Sequence, residues 1–265
     1  MTEETLKKYN LGLKMYFDGK STTFISKELK ISRSRFSLYL KSQNIEVIKT
    51  PHKKKIYEDI FEEINTEEKA YWLGFLYADG YVASGKRNDV ELSLQLSDKH
   101  HLKKFKDFIG FEGKLITDSF RCRISFKNKK IKQDLIKLGC TPKKSLTLKF
   151  PTEEQVPKEL IPHFIRGYLD GDGCIVCTEK HRSVEILGTE SMLIGICEHS
   201  NIPIKRIYNS NCNSDKIFRL VFNKKQDVLN FCNYIYKDSN IHMERKFNKY
   251  KLLMEYYATH NRNIM

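Results

Sequence analysis

Two aspartates in the chain lie in stretches that resemble each other. Asp79 belongs to YWLGFLYADGYV (residues 71–82) and Asp172 to FIRGYLDGDGCI (residues 164–175), and each is followed by a glycine. Two carboxylates held together make a hard-oxygen site of the kind that Mg²⁺ prefers. A metal ion at such a site can activate water and stabilise the leaving oxygen in phosphodiester hydrolysis.

Each stretch is predicted to form a helix that ends at its aspartate. Asn65 or Thr66 can cap the first helix, which is expected to run to about Ala78. Pro162 suits the first turn of the second helix, which is expected to end near Asp172. The partially negative C-terminal ends of the two helices would then lie behind the two carboxylates.

Small residues recur four positions apart in both predicted helices, Gly74 with Ala78 and Gly167 with Gly171. This spacing puts a bare strip on one face of each helix. Glycine inside a helix costs roughly 1 kcal/mol relative to alanine, so two matched glycines indicate a role in close packing. We therefore expect the two helices to pack side by side and in parallel, which brings the two aspartates together.

An Asp-Gly pair can also simply close a helix and begin a hairpin. A single copy would be explained well in that way. Here the two aspartates are 93 residues apart and are preceded by matching glycines, which favours an internal duplication.

The charge of the chain indicates a polyanionic partner. The 265 residues carry a formal net charge of +14, with 40% hydrophobic and 30% charged residues, as in globular proteins. Residues 5–55 contain 13 Lys and Arg against three acids, whereas residues 56–68 contain six acids and no Lys or Arg. A basic block can neutralise nucleic-acid phosphates, or it can be merely a soluble basic surface. We interpret residues 51–66 as a linker, basic first and then a short acidic helix.

Residues 1–50 are predicted to form a helix-turn-helix domain that binds DNA. A Ser/Thr cluster at residues 21–23 can cap one short helix, and Ser32 can cap a second whose buried face contains Phe36 and Leu40. Two short helices joined by a tight turn are typical of such domains, although a small bundle with a solvated basic face would read similarly. The residues expected to face the major groove are Arg33, Ser34, Arg35 and Ser37.

Alternating side chains predict strands whose exposed face is polar and basic. Apolar and polar residues alternate in VELSLQLS (residues 90–97) and again in RCRISFK (residues 121–127). An amphipathic helix is expected between them at residues 101–110, and KIFRLVF at residues 216–222 is a counterpart strand. Such a face can enter a DNA major groove, or it can simply be solvated. The DNA-contacting residues expected on it are Arg121, Arg123 and Lys127.

The two duplicated stretches resemble the paired motifs of the LAGLIDADG (dodecapeptide) homing endonucleases, in the single-chain form with two motifs. GYLDGDG at residues 167–173 is close to the family pattern, whereas the first copy has Tyr77 where the family often has an acid. The resemblance covers about residues 67–255. It implies an α+β fold of two pseudo-symmetric αββαββα halves, 67–160 and 161–265, whose curved antiparallel sheets form a saddle for DNA. The helix-turn-helix would precede them as a small all-α domain.

The resemblance also implies an activity. Members of the family are site-specific homing endonucleases that cut both strands of DNA. The single-chain form with two motifs implies a monomer that binds a long, asymmetric double-stranded site. The family pattern places Mg²⁺ or Mn²⁺ at Asp79 and Asp172, with Gly80 and Gly173 beside it. These two glycines are further expected to permit a sharp exit from each helix.

Three more residues are implied by the resemblance. Gln95 resembles the polar residue that the family places beside the metal-bound water, and Leu187 holds the corresponding place in the second half. Lys144 and Lys246 resemble the basic residues near the scissile phosphates, where either could stabilise developing charge. Each lysine could equally be an ordinary phosphate contact or a surface charge.

Other functions are compatible with the same scaffold. A non-cleaving DNA-binding regulator or an intron RNA maturase would share the fold, because a fold does not determine function. The presence of both aspartates favours an enzyme. An intein is disfavoured because no splicing block surrounds the motifs.

The sequence further indicates a cytoplasmic protein, in a bacterium, a phage host or an organelle. No apolar run approaches the ~20 residues of a membrane span, and the N-terminus lacks a signal-peptide core. The seven cysteines show no disulfide spacing, so free thiols in a reducing compartment are expected. Cys174 and Cys177 form a CxxC without a second ligand pair, which disfavours zinc.

Overall fold

The computed structural model describes residues 2–47, 55–210 and 216–259. The chain divides into two compact units, residues 1–53 and residues 54–265. Among the described residues, no helix combines the length and the apolar character that crossing a membrane requires.

Within residues 2–47, the first unit consists of three helices: α1 (Glu3–Phe17), α2 (Thr22–Glu28) and α3 (Arg33–Ser42). The side chains of Ser21 and Ser32 accept backbone hydrogen bonds at the starts of α2 and α3, as the sequence predicts. Between these helices the backbone turns at Lys30, which has a positive φ of 51°. The core of the unit consists of Tyr9, Ile25, Phe36 and Leu40.

The first half of the second unit begins with the first duplicated stretch. Its motif helix is followed by two strands, a helix, two strands and a helix. These elements are α4 (Glu67–Asp79), β1 (Gly80–Val82), β2 (Asp89–Gln95), α5 (Lys99–Phe108), β3 (Ile116–Thr117), β4 (Arg121–Lys127) and α6 (Lys129–Lys137).

The second half repeats this order and adds one helix at its end. Its elements are α7 (Ile161–Asp172), β5 (Gly173–Cys177), β6 (Arg182–Gly188), α8 (Glu190–Ser200), β7 (Ile207–Asn209), β8 (Phe218–Phe222), α9 (Lys225–Tyr236) and α10 (Glu244–Thr259). The αββαββα order implied by the family resemblance is therefore confirmed in both halves.

Each half contains an antiparallel sheet of four strands within residues 55–210 and 216–259. The strand orders are β1-β2-β4-β3 and β5-β6-β8-β7, so the two sheets have the same topology. Gly80, which follows the first motif helix, pairs with Leu92, and Gly173, which follows the second, pairs with Ile186. The duplication seen in the sequence thus extends to the register of the strands.

The alternation predicted for β2 and β4 is confirmed. Val90, Leu92 and Leu94 are buried, and along β4 the buried residues alternate with exposed or half-buried ones. Leu96 departs from the pattern because the strand ends at Gln95 and a 3₁₀ turn begins at the next residue.

The short acidic helix expected within residues 51–66 is absent from the described part of that segment, residues 55–66, which forms turns instead. Phe61 and Ile64 in this segment are buried in the core of the second unit. Their spacing of three residues looks helical, but both side chains can also reach the core from a turn. The segment from residue 55 onward therefore packs on the second unit rather than spanning between units as a free linker.

Candidate active site

The two motif helices, α4 and α7, pack against each other at their glycines. A Cβ atom added at Gly74 would overlap the carbonyl oxygen of Phe164, and one added at Gly167 would overlap that of Tyr71. Glycine, which has no Cβ, allows the two backbones to approach this closely. The structure therefore brings the two bare strips face to face.

The contact continues to the C-terminal ends of the helices. A Cβ added at Gly171 would overlap the Cβ of Ala78 and lie 3.5 Å from Oδ2 of Asp79. Asp79 is the last residue of α4, and Asp172 is the last residue of α7. The two carboxylates therefore lie at the same end of a parallel helix pair.

Both carboxylates have raised pKa values. Their side chains reach the surface, but the surrounding protein removes part of their hydration, which raises the pKa of Asp79 and brings that of Asp172 to about 6. Repulsion by Asp79 adds to the effect on the pKa of Asp172. Lys144 and Lys246 are close enough to lower the pKa of both aspartates, but the loss of hydration outweighs their effect. A cation bound between the carboxylates would relieve this repulsion.

Lys144 caps the C-terminal end of the first motif helix. Its Nζ donates hydrogen bonds to the carbonyl oxygens of Ala78 (3.2 Å) and Gly80 (2.6 Å). The residue is only 7% exposed. The last carbonyls of a helix carry partial negative charge, so an ammonium group is stabilised there.

Lys246 does the same for the second motif helix. Its Nζ donates to the carbonyl oxygens of Leu169 (2.7 Å) and Asp170 (2.6 Å) and lies 3.4 Å from that of Gly171. It is 4% exposed, and burial lowers its pKa. The two lysines are therefore neither surface charges nor freely mobile side chains, since each is held on backbone carbonyls directly behind an aspartate.

Gly80 and Gly173 follow the aspartates for a reason of space rather than of backbone conformation. Both have negative φ, −74° and −109°, which any residue can adopt. A Cβ at Gly80 would lie 2.8 Å from Cδ2 of Leu76, and one at Gly173 would lie 2.7 Å from the carbonyl oxygen of Leu169. The expectation that these glycines supply conformational freedom is therefore corrected: they clear the last turn of their own helices.

The structure fixes the position of Gln95 along β2. It is the exposed last residue of β2, three positions beyond Leu92, which pairs with Gly80. A strand rises about 3.3 Å per residue, so Gln95 is about 10 Å along the strand from the end of the motif helix.

The register also corrects the expected counterpart of Gln95 in the second half. The residue opposite the glycine after each motif helix provides the common reference point. Counted from it, Leu187 corresponds to Ser93, and Gln95 corresponds to Thr189. Thr189 is buried and caps the start of α8, so it does not present a polar group as Gln95 does.

Sequence reasoning missed a buried polar contact behind the second aspartate. Oδ2 of Asp170 accepts hydrogen bonds from the hydroxyl of Tyr71 and the backbone N–H of Met243, both at 2.7 Å. Met243 directly precedes α10, so this contact fixes the segment that carries Lys246. The signal in the sequence was the additional acid in LDGD, which no surface role explains.

Tyr77 occupies the equivalent position in the first half. It also connects its motif helix to another segment, through a hydroxyl instead of a carboxylate. Its hydroxyl donates to the carbonyl oxygen of Leu138 at the end of α6, which links α4 to the segment that carries Lys144. In both halves, the residue two positions before the aspartate ties the motif helix to the lysine segment. The departure from the family pattern at Tyr77 therefore preserves this tie.

A second missed cluster joins the N-terminal part of the helix pair. Arg166 is fully buried in α7 and donates to Oε1 of Glu67 (2.7 Å), the first residue of α4. It also donates to the carbonyl oxygen of Ile241 at 2.8 Å. An arginine among the mostly apolar residues 164–169 was the signal that could have predicted a buried partner.

All but one of the side chains expected to contact DNA are exposed. In the first unit, Arg33, Ser34 and Arg35 are exposed and Ser37 is half-buried; Nε of Arg33 donates to Oγ1 of Thr22 at 3.3 Å. In the second unit, the exposed residues on one face of β4 are Arg121, Arg123 and Lys127.

The donor set at the helix ends suits a magnesium-type ion. Within residues 2–47, 55–210 and 216–259, no group of three or more His, Cys, Asp and Glu side chains is placed to hold a metal. Mg²⁺ does not require such a group, because it is usually bound by one or two carboxylates together with substrate phosphates and water. Asp79 and Asp172 supply two carboxylates, whereas the carbonyl of Gly80 is already bonded to Lys144.

No family model matches the sequence. The probable translation initiation factor IF-2 of Methanocaldococcus jannaschii is 28% identical over an alignment of 204 positions, which covers 69% of this chain and 17% of that protein. The chain thus spans about a sixth of the length of this curated relative.

The fold itself is found in solved structures. The meganuclease I-SmaMI bound to uncleaveable DNA superposes with a TM-score of 0.51 and 10% identity, over 76% of this chain and 92% of that chain. The I-SmaMI LAGLIDADG homing endonuclease bound to cleaved DNA gives the same values. With its two αββαββα halves joined through the motif helices, the chain has the fold of the LAGLIDADG homing endonucleases.

Proposed function

We propose that this protein is a site-specific homing endonuclease that hydrolyses phosphodiesters in both strands of DNA. The observation that carries the proposal is the pair of carboxylates, Asp79 and Asp172, at the adjoining ends of α4 and α7. A purely structural helix end does not need two ionisable groups whose pKa values are raised by their surroundings. The fold supports the proposal, because structures with it include an endonuclease bound to cleaved DNA.

Asp79 and Asp172 would hold Mg²⁺ or Mn²⁺ at the ends of their helices, directly before Gly80 and Gly173. When bound, the ion supplies an activated water and stabilises the leaving oxygen. Lys144 fixes the position of the first carboxylate by holding the end of its helix. The second lysine does so for the other helix, and both contribute positive charge beside the scissile phosphates. Gln95, at the end of β2, would orient water at the edge of the site.

Double-stranded DNA is the proposed substrate. The exposed faces of the two sheets are made of different side chains, so the bound site would be long and asymmetric. Both aspartates come from one chain, which supports a monomer. The first unit would add affinity as a helix-turn-helix, through Arg33, Ser34, Arg35 and Ser37 in the major groove. The proposed organisation is a DNA-binding domain (1–50), a connecting segment (51–66) and two halves (67–160 and 161–265).

The test is cleavage of a linear duplex library with a randomised central segment. The full chain should generate new double-stranded ends in a defined subset of sequences with Mg²⁺ or Mn²⁺, and none with a chelator. Enrichment of bound sequences without new ends would favour a non-cleaving DNA-binding regulator, and retention of structured intron RNA without DNA cleavage would favour a maturase. Either result would overturn the proposal.

A further inference from the structure

One pair of side chains is repeated on the exposed faces of the two sheets. In β2, Glu91 directly precedes Leu92, the residue opposite Gly80, and in β6, Glu185 directly precedes Ile186, the residue opposite Gly173. The two glutamates are therefore at equivalent positions. We call Glu91 and Glu185 the face glutamates.

Each face glutamate has an arginine partner on the neighbouring strand. Nη1 of Arg123 lies 3.6 Å from Oε1 of Glu91, and Nη1 of Arg219 lies 3.9 Å from Oε2 of Glu185. The register shows that the arginines are equivalent too, because Arg123 pairs with Ser93 and Arg219 pairs with Leu187. The duplication has thus kept an identical charge pair at one place on each face.

The side chains around the two pairs have diverged. Beside the arginines, Ser93 and Ile116 in the first half are replaced by Leu187 and Tyr208 in the second. Beside the face glutamates, the first half has Tyr81 and Ser125, and the second half has Cys174 and Val221.

Stability does not account for the retained pair. Both arginine side chains are 50% exposed, and each ion pair is longer than a direct hydrogen bond. Exposed ion pairs of this kind contribute about 0–1 kcal/mol to folding. Each ion pair instead restrains one side of a guanidinium group, and half of the arginine side chain remains exposed.

A restrained arginine on a sheet that enters the major groove is suited to guanine, because its two donors match the O6 and N7 acceptors. We propose that Arg123 and Arg219 each recognise a guanine, and that these two guanines lie at equal distances from the centre of the DNA site, on opposite strands. The inference rests on the proposed DNA-binding function. It adds that an otherwise asymmetric site contains one symmetric pair of G·C base pairs, with the face glutamates acting as positioning residues.

The experiment is selection of bound duplexes from a fully randomised library by the full chain, in Ca²⁺ so that binding is measured without cleavage. Arg123→Ala should relax the base preference at one of the two guanines, and Arg219→Ala should relax it at the other. A bidentate arginine contact discriminates against the wrong base by roughly 5- to 100-fold, so each variant should lose about this much preference at one position. Lys127→Ala is the matched control, since it removes a positive charge from the same face of β4.

The control should bind less tightly overall and keep both guanines. Glu91→Gln, which retains shape and removes charge, should bind DNA more tightly and discriminate less at the first guanine. The inference is overturned if selected sites contain no symmetric guanines, or if the arginine variants change affinity without changing base preference. Failure of the sequence-specific DNA binding on which the inference rests is distinguishable, because then the unaltered chain would enrich no sequence at all.

Discussion

Gly167 of α7 lies directly against the carbonyl oxygen of Tyr71 in α4, with no room between them for a Cβ atom. Gly74 has the reciprocal relationship with the carbonyl oxygen of Phe164. These two contacts set the separation of the motif helices, and the separation in turn sets where Asp79 and Asp172 meet.

Gly74→Ala or Gly167→Ala should therefore impair both stability and cleavage. The obstructing atoms belong to the backbone and cannot rotate away. We therefore expect the free energy of unfolding to fall by ~1–3 kcal/mol. Displacing the carboxylates by about 1 Å should lower the cleavage rate by ~100-fold. Thermal unfolding and cleavage rates check this. If the helices did not pack here, alanine would instead stabilise each helix by roughly 1 kcal/mol.

Exchanging the two residue types at positions 78 and 171, which are in contact near the helix ends, provides the control. Gly171→Ala alone should clash with the Cβ of Ala78, whereas Gly171→Ala combined with Ala78→Gly keeps one methyl group at the contact. The double variant should regain most of the lost stability. Additive effects of the two substitutions would contradict direct contact at this point.

Lys144→Met and Lys246→Met should each destabilise the fold as well as reduce cleavage. Each substitution removes the buried donor from two or more carbonyl oxygens, and such a loss typically costs about 1–3 kcal/mol. Lys249→Met, at an exposed position of α10, is the matched control and should melt normally. Normal melting of the Lys144 and Lys246 variants, with weaker DNA binding, would mean that the lysines act only on phosphates.

How far the site follows from the sequence depends on the distance along the chain over which each interaction acts. The motif helices, their caps and the alternating strands are local, so periodicity and capping residues predict them. The duplication adds one long-range relationship, the meeting of α4 and α7. The hydrogen bonds of Lys144 and Lys246 to helix-end carbonyls span 64 to 77 residues, and no local pattern encodes them.

Two further differences between the sequence predictions and the structure also arise from contacts between residues far apart in the chain. Phe61 and Ile64 have the spacing of a helix, but the tertiary core, rather than helix propensity, decides their conformation. The counterpart of Gln95 cannot be found by aligning strand ends, because the two halves have loops and strands of different length. Only the pairing of each strand with its motif glycine establishes the equivalence with Thr189.

Cleavage should depend on pH through the ionisation of Asp172, whose pKa is raised to about 6 by partial loss of hydration and by Asp79. A metal ion binds the ionised carboxylates, so the rate should rise with pH through about 6, and the midpoint should fall as Mg²⁺ is increased. Rates measured from about pH 5 to about pH 8 at two Mg²⁺ concentrations check this. A midpoint that does not respond to Mg²⁺ would contradict metal binding at Asp172.

In the absence of metal, ionisation of Asp172 should destabilise the folded protein. Its folded pKa lies above the ordinary aspartate value, so between about pH 4 and about pH 6 the folded state binds more protons than the unfolded state. The free energy of unfolding should therefore fall as the pH rises through this window. Asp172→Asn should remove that slope and be the more stable protein at neutral pH.

Residues 1–53 should add affinity without being needed for the chemistry. This unit is compact by itself, and residues 1–55 contain 13 Lys and Arg against five acids. A shortened chain beginning at Lys55 should still cut at low salt, with a smaller dependence of binding on salt, because each phosphate contact contributes a log–log slope of roughly −0.9. An unchanged slope would show that the first unit does not contact the DNA.

The most direct test of the paired-carboxylate site is cleavage of selected DNA by Asp79→Asn and Asp172→Asn in Mg²⁺, beside gel-shift binding of the same DNA in Ca²⁺. Each substitution preserves the shape of the side chain and removes its charge, so neither should disturb the helix contact. We expect both variants to bind DNA as the unaltered chain does and to make no double-strand breaks. Full cleavage by either variant would contradict the assignment of these two residues as the metal-binding pair.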